Sequence, residues 1–159
     1  MKVDLDSITK DVALYLSQRE AMLATAESCT GGWVAQTLTS LAGSSAWFDA
    51  GFVTYSNSSK QRMLGVSEST LEQEGAVSEA VVLEMAAGAC AKSDATYAIA
   101  ISGVAGPGGG SAEKPVGTVW IGWSSPQGCW AKKFNFEGDR KSVRKQAVVA
   151  ALQGLLQGN

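Results

Sequence analysis

The sequence predicts a three-layer α/β/α sandwich around a mixed, mostly parallel five-stranded sheet. Three observations lead there. Five short runs of β-type residues are separated by stretches with helical periodicity. One run, "TYAIAISG" (96–103), is apolar without alternation, as a strand buried on both faces must be. Near the C-terminus two runs are joined only by "SPQG", which adds an antiparallel hairpin to the sheet.

Each element follows in order. Leu5, Ile8, Val12 and Leu16, with Tyr15 beside them, recur every three or four residues over 5–20, the period of an amphipathic helix. "AMLATA" (21–26) is a short buried strand. A second helix opens near Thr30-Gly31-Gly32, carries Val34, Leu38 and Leu41 on one face, and stops at Gly43. "SSAWFDAGFVTYS" (44–56) is aromatic and β-branched and reads as a second strand. Two short helices follow in "SSKQRMLG" and "SESTLEQEG", the latter bounded by Ser67 and Gly75. Ser78 starts a longer helix rich in Ala and Gly, suited to close packing on a sheet. After the third strand a glycine-rich loop (103–115) leads to strands at 116–124 and 129–137. A last helix begins beside Asp139 and runs Val143, Ala147, Ala150, Ala151 and Leu155 along one stripe.

With 159 residues, 45% hydrophobic and 18% charged, residues 1–159 read as a single globular domain. No apolar run approaches the ~20 residues of a membrane span, and the N-terminus lacks a leader pattern, so a cytoplasmic protein is expected. A net charge of -2 argues against nucleic acid as partner. Cys29, Cys90 and Cys129 are odd in number and widely spaced, which fits reduced thiols. With no histidine and no Cys-x-x-Cys pair, no metal site and no cofactor are expected. The loop holds neither Gly-Lys nor Gly-x-Gly-x-x-Gly, which disfavours a nucleoside triphosphatase or a dinucleotide cofactor. Among five tryptophans some could bury a homodimer contact, though core packing accounts for them equally well.

The absence of histidine also removes the Ser-His-Asp and Cys-His arrangements, so a serine nucleophile would need a lysine or a terminal amine as base. Ser-x-x-Lys occurs three times, at Ser7, Ser111 and Ser142, and is uninformative by itself. Ser28 stands where a buried strand passes into a helix. There the N–H groups of Cys29, Thr30, Gly31 and Gly32 could bind an oxyanion or phosphate. On spacing alone, Ser28 or Thr30 is equally well an ordinary helix cap. Cys29 is a rival nucleophile through the helix terminus, or a small buried hydrophobe. Tyr55 and Lys60 leave the second strand toward the same sheet edge, or are simply a strand-end tyrosine and a surface lysine. Gly106, Gly108 and Gly109 would let backbone approach an anion. Arg140 and Arg144 lie four apart and could grip a phosphate, or form a solvated basic face.

Taken together, "AESCTGG", "GxVTYSNxxK", "GAVSE", "ISGVAGPGGGS", "KPVGTVWIG" and "GDRxxVR" resemble the CinA C-terminal domain family, in order from about residue 5 to 155. By that resemblance the family's single-domain form is expected, without the molybdopterin-binding-like domain of the two-domain proteins. The resemblance implies a fold similar to anticodon-binding domains and hydrolysis of the carboxamide of nicotinamide mononucleotide (NMN) in pyridine-nucleotide (NAD) recycling. It implies Ser28 as nucleophile, with Lys60 and Tyr55 as its catalytic partners. Lysine as a base near neutral pH requires its pKa to fall by about three units, roughly 4 kcal/mol of environmental bias. The alternative is a non-catalytic nucleotide-binding or regulatory module of the kind the family's competence-related name suggests.

Overall fold

The computed structural model describes residues 3–159. Helix α1 (Leu5–Gln18) leads into β1 (Leu23–Glu27), α2 (Trp33–Thr39), a single 3-10 turn (Ser44–Ala46) and β2 (Phe48–Val53). Helices α3 (Asn57–Leu64), α4 (Glu68–Glu74) and α5 (Glu79–Ala91) come next. Strands β3 (Tyr97–Gly103), β4 (Thr118–Ser125) and β5 (Gly128–Asn135) and helix α6 (Arg140–Gln157) complete the chain. The sheet order is β2-β1-β3-β4-β5. Strand β1 is parallel to both β2 and β3, while β4 is antiparallel to β3 and to β5. Four strands therefore share one direction and only β4 opposes them, which is the mixed, mostly parallel sheet expected.

Side-chain alternation sends different residues to the two faces. Leu23, Ile99, Ile101, Val119 and Ile121 pack under α1, α2 and α6. Ala24, Ala26, Ala98 and Ala100 face α3, α4 and α5. The alanines bring α5 close to the sheet, and Gly88 brings it close to α3: a Cβ there would lie 2.0 Å from the Leu64 carbonyl oxygen. The small residues of α5 thus serve a helix contact as well as the sheet contact predicted. Ser67, Ser78 and Asp139 cap α4, α5 and α6 as read from the sequence.

Several boundaries differ from expectation. Helix α2 starts only at Trp33, because Gly31 and Gly32 take φ of 59° and 102°, outside the helical region. It ends at Thr39, where the Thr39 and Ser40 hydroxyls fold back onto the Ala35 and Thr37 carbonyls. The second strand is shorter at both ends, since 44–46 form the 3-10 turn and Ser56 already caps α3. The first strand, expected over 21–26, instead reaches Glu27. No helix among the described residues is long and apolar enough to cross a membrane.

Candidate active site

The parallel strands β1, β2 and β3 end at one edge of the sheet, so the segments leaving them converge there. Ser28 follows β1 directly, and its N–H donates to Ile101 O at 3.0 Å, which fixes it against β3. Thr54 N–H donates to Glu27 O at 2.9 Å, which ties the exit of β2 to the same point. Helix α3 then begins with a reciprocal cap: Ser59 N–H donates to Ser56 Oγ and Ser56 N–H to Ser59 Oγ. Lys60 sits in the first turn set by that cap and is 1% exposed.

Lys60 Nζ lies 2.9 Å from Ser28 Oγ, 2.9 Å from Thr54 O and 3.4 Å from Tyr55 O. Burial pushes the Lys60 pKa below its ordinary value, with nearby Cys29 working weakly the other way. A neutral amine has two N–H groups and one lone pair. As an ammonium, Nζ donates at all three contacts; as a neutral amine it would keep the two carbonyls and turn its lone pair to the serine hydroxyl.

Both side chains open onto a cavity of about 320 Å³. Its walls include Cys29, Tyr55, Asn57, Ser102 and Arg140, and the glycine-rich loop contributes Gly103 to Gly106, Gly108 and Gly109. No aspartate or glutamate lines it, so its fixed charge is cationic. Arg140, the first residue of α6, donates from Nη1 to Gly106 O at 2.8 Å and from Nη2 to the Tyr55 hydroxyl at 3.2 Å. The Tyr55 ring is 63% exposed and meets Lys60 through its main-chain carbonyl, while its phenol belongs to the rim with Arg140.

The remaining sequence candidates fall elsewhere. Thr30, Gly31, Gly32 and Arg144 do not line the cavity. The four N–H groups expected to be free are not all so, since Gly31 N–H donates to Ser28 O at 3.1 Å. Arg144 lies behind the turn, donating from Nε to Cys29 O at 3.0 Å and from Nη2 to Thr30 O at 3.2 Å. The two arginines therefore do not share one ligand: Arg140 reaches the cavity and Arg144 holds main chain. Cys29 is buried, and burial pushes its thiol up to about 11, against the lowering expected at a helix terminus. It is a protonated thiol at neutral pH.

Two residues escaped the sequence reading. Ser102, 2% exposed on the alanine side of β3, is part of the cavity wall. A hydroxyl closing an otherwise apolar strand at the ligand edge was the available signal. Glu27, 1% exposed, accepts from Thr30 Oγ1 at 2.7 Å, Val34 N–H at 2.8 Å and Ala35 N–H at 3.1 Å. The signal there was a helix start whose own cap position is a glycine with no side chain to offer.

Residues 5–158 match the model of the CinA C-terminal domain. The chain is 55% identical over 157 residues to the nicotinamide-nucleotide amidohydrolase PncC of Shigella flexneri, covering 97% of this chain and 94% of that protein. It is 54% identical over 143 residues to the protein of the same name from Pseudomonas putida, covering 90% and 89%. Among solved structures, the competence/damage inducible protein CihA from Agrobacterium tumefaciens superposes with a TM-score of 0.94 at 42% identity, over 99% of this chain and 96% of that one.

Proposed function

The chain belongs to the CinA C-terminal domain family, and on that premise we propose that it hydrolyses the carboxamide of nicotinamide mononucleotide, as a single domain with Ser28 as nucleophile and Lys60 as base. The named amidohydrolases at 54–55% identity over nearly the whole chain support the reaction. The mechanism rests on one observation, the 2.9 Å approach of a buried lysine amine to Ser28 Oγ in a cavity without carboxylates.

Neutral Lys60 takes the Ser28 proton as Oγ bonds to the carboxamide carbon. The oxyanion is met by the N–H of Cys29, the residue after the nucleophile, and by the Ser102 hydroxyl in the cavity wall. When the C–N bond breaks, Lys60 returns the proton to the departing nitrogen, and ammonia leaves. Water then gives a proton to Lys60 and adds to the ester, releasing nicotinate mononucleotide and restoring Ser28. The positively charged pyridinium of the substrate acts with burial to lower the Lys60 pKa. The phosphate goes toward Arg140 and the loop at Gly106, Gly108 and Gly109, since Arg144 already spends its guanidinium on Cys29 O and Thr30 O. A cavity of about 320 Å³ lies within the range of small-molecule sites. The product nicotinate nucleotide is suited to pyridine-nucleotide recycling.

Ammonia release from NMN by the wild type, Ser28→Ala and Lys60→Ala tests the proposal. Turnover by the wild type and loss in both variants is expected. Undiminished turnover in either variant removes that residue from the mechanism, and no release by the wild type leaves a nucleotide-binding module.

A further inference from the structure

We infer that Glu27 is a positioning residue, whose carboxylate sets the turn carrying Ser28 at its working distance from Lys60. This rests on Ser28 being the nucleophile. The residue in the cap position of α2 is Gly32, in the left-handed region and without a side chain to bond. Glu27, five residues upstream, takes over the task. Its Oε1 and Oε2 accept from the N–H groups of Val34 and Ala35, the second and third residues of the helix, where an ordinary cap would bond. Oε1 also accepts from Thr30 Oγ1 inside the turn. The Glu27 main chain is meanwhile fixed in the sheet, by its register with Val53 and Ile101 and by the Thr54 N–H bond.

One buried side chain thus joins the sheet, the middle of the turn and the first turn of α2. The path of residues 28–32 between those points has little freedom left. Arg144 holds the Cys29 and Thr30 carbonyls of the same turn. Lys60 approaches Ser28 from α3, on the opposite face of the sheet from α2. The dyad distance therefore depends on how the turn is held from below. Every partner of the Glu27 carboxylate donates, so an amide of the same size sets an NH₂ group against a donor. Glu27→Gln preserves shape and breaks the arrangement.

The test is steady-state ammonia release from NMN by the wild type, Glu27→Gln, Thr30→Val and the double variant, with the folded fraction of each measured by circular dichroism in the assay buffer. A displaced nucleophile lowers kcat on the order of 10–100-fold in Glu27→Gln. KM stays within about twofold, because the cavity walls that bind substrate are untouched. Thr30→Val gives a smaller fall. The double variant falls no further than Glu27→Gln, since both changes act through one carboxylate. A fall in kcat that only matches the loss of folded protein, or additive effects in the double variant, overturns the inference. If Glu27→Gln does not fold, Thr30→Val decides: a lowered kcat at unchanged KM in fully folded protein supports positioning, and wild-type kcat refutes it. Ser28→Ala is run alongside, and activity there sinks the nucleophile assignment whatever Glu27 does.

Discussion

Replacing Lys60 by methionine separates the chemistry of the amine from the packing of its stem. The side chain is 1% exposed, and methionine nearly fills the same space. What disappears is Nζ, with its contacts to Ser28 Oγ, Thr54 O and Tyr55 O. Loss of a general base costs about 10²–10⁴ in rate, equivalent to roughly 3–5 kcal/mol of transition-state stabilisation. Stability responds differently. The two carbonyls lose a donor, at about 1–3 kcal/mol for each group left unpaired, while the penalty of burying an amine that water would protonate is removed.

The pH dependence carries the sign. Burial depresses the folded-state pKa of Lys60 below the ordinary 10.5. Between the depressed value and the ordinary one, the unfolded chain binds more protons than the folded chain. Wild-type stability therefore rises with pH across that window, and below it the folded protein carries the full cost of the buried group. Lys60→Met lacks this dependence, so the wild type gains on the variant as pH rises. In the wild type kcat/KM climbs with pH along a limb centred below 10.5 as Lys60 becomes neutral. Measured by ammonia release from NMN across pH, Lys60→Met loses the limb and about two to four decades of rate. A variant that keeps a tenth of the wild-type rate, or the same limb, refutes the base assignment.

Other outcomes follow from the same geometry. Arg140→Ala raises KM for NMN with a smaller effect on kcat, because Arg140 faces the cavity, whereas Arg144→Met lowers kcat at nearly constant KM, because Arg144 holds main chain; initial-rate kinetics on the pair reads the split. Gly88→Ala drives a methyl into the Leu64 carbonyl, which destabilises the protein by about 1–3 kcal/mol in a urea titration. It also lowers kcat by shifting the helix that carries Lys60. Thr25 Oγ1 is buried without a partner, so Thr25→Val raises stability by about 1 kcal/mol, with the melting temperature as readout.

The layers and the element order were legible because hydrophobic period and caps are local properties. Ser67, Ser78, Asp139 and the unbroken run of β3 each announce their element within a few residues. The approach of Ser28 to Lys60 is different in kind. It joins residues 32 positions apart, and neither neighbourhood contains a signal for the other; only the resemblance to a family linked them. Arg140 and Arg144 were indistinguishable in sequence, being four apart on one helix face. Their separation comes from where the loop at Gly106 and the turn at Cys29 pass the start of α6. Helix α2 was placed too early because two glycines followed by an apolar stripe look like a helix start, while their φ values and the distant cap at Glu27 come from the tertiary fold.

Ser28 and Lys60, the proposed catalytic pair, straddle two layers that need not move together. Ser28 is braced by α2 and α6 on one side of the sheet, and Lys60 rides on a short helix held to α5 on the other. The 2.9 Å gap is therefore a gauge of how the two sides are registered across the strands. Heat or mild denaturant that lets α3 slide by an ångström opens the gap while every strand remains paired. Inactivation should then precede the loss of secondary structure, making turnover a more sensitive reporter of layer slippage than any bulk spectroscopic signal.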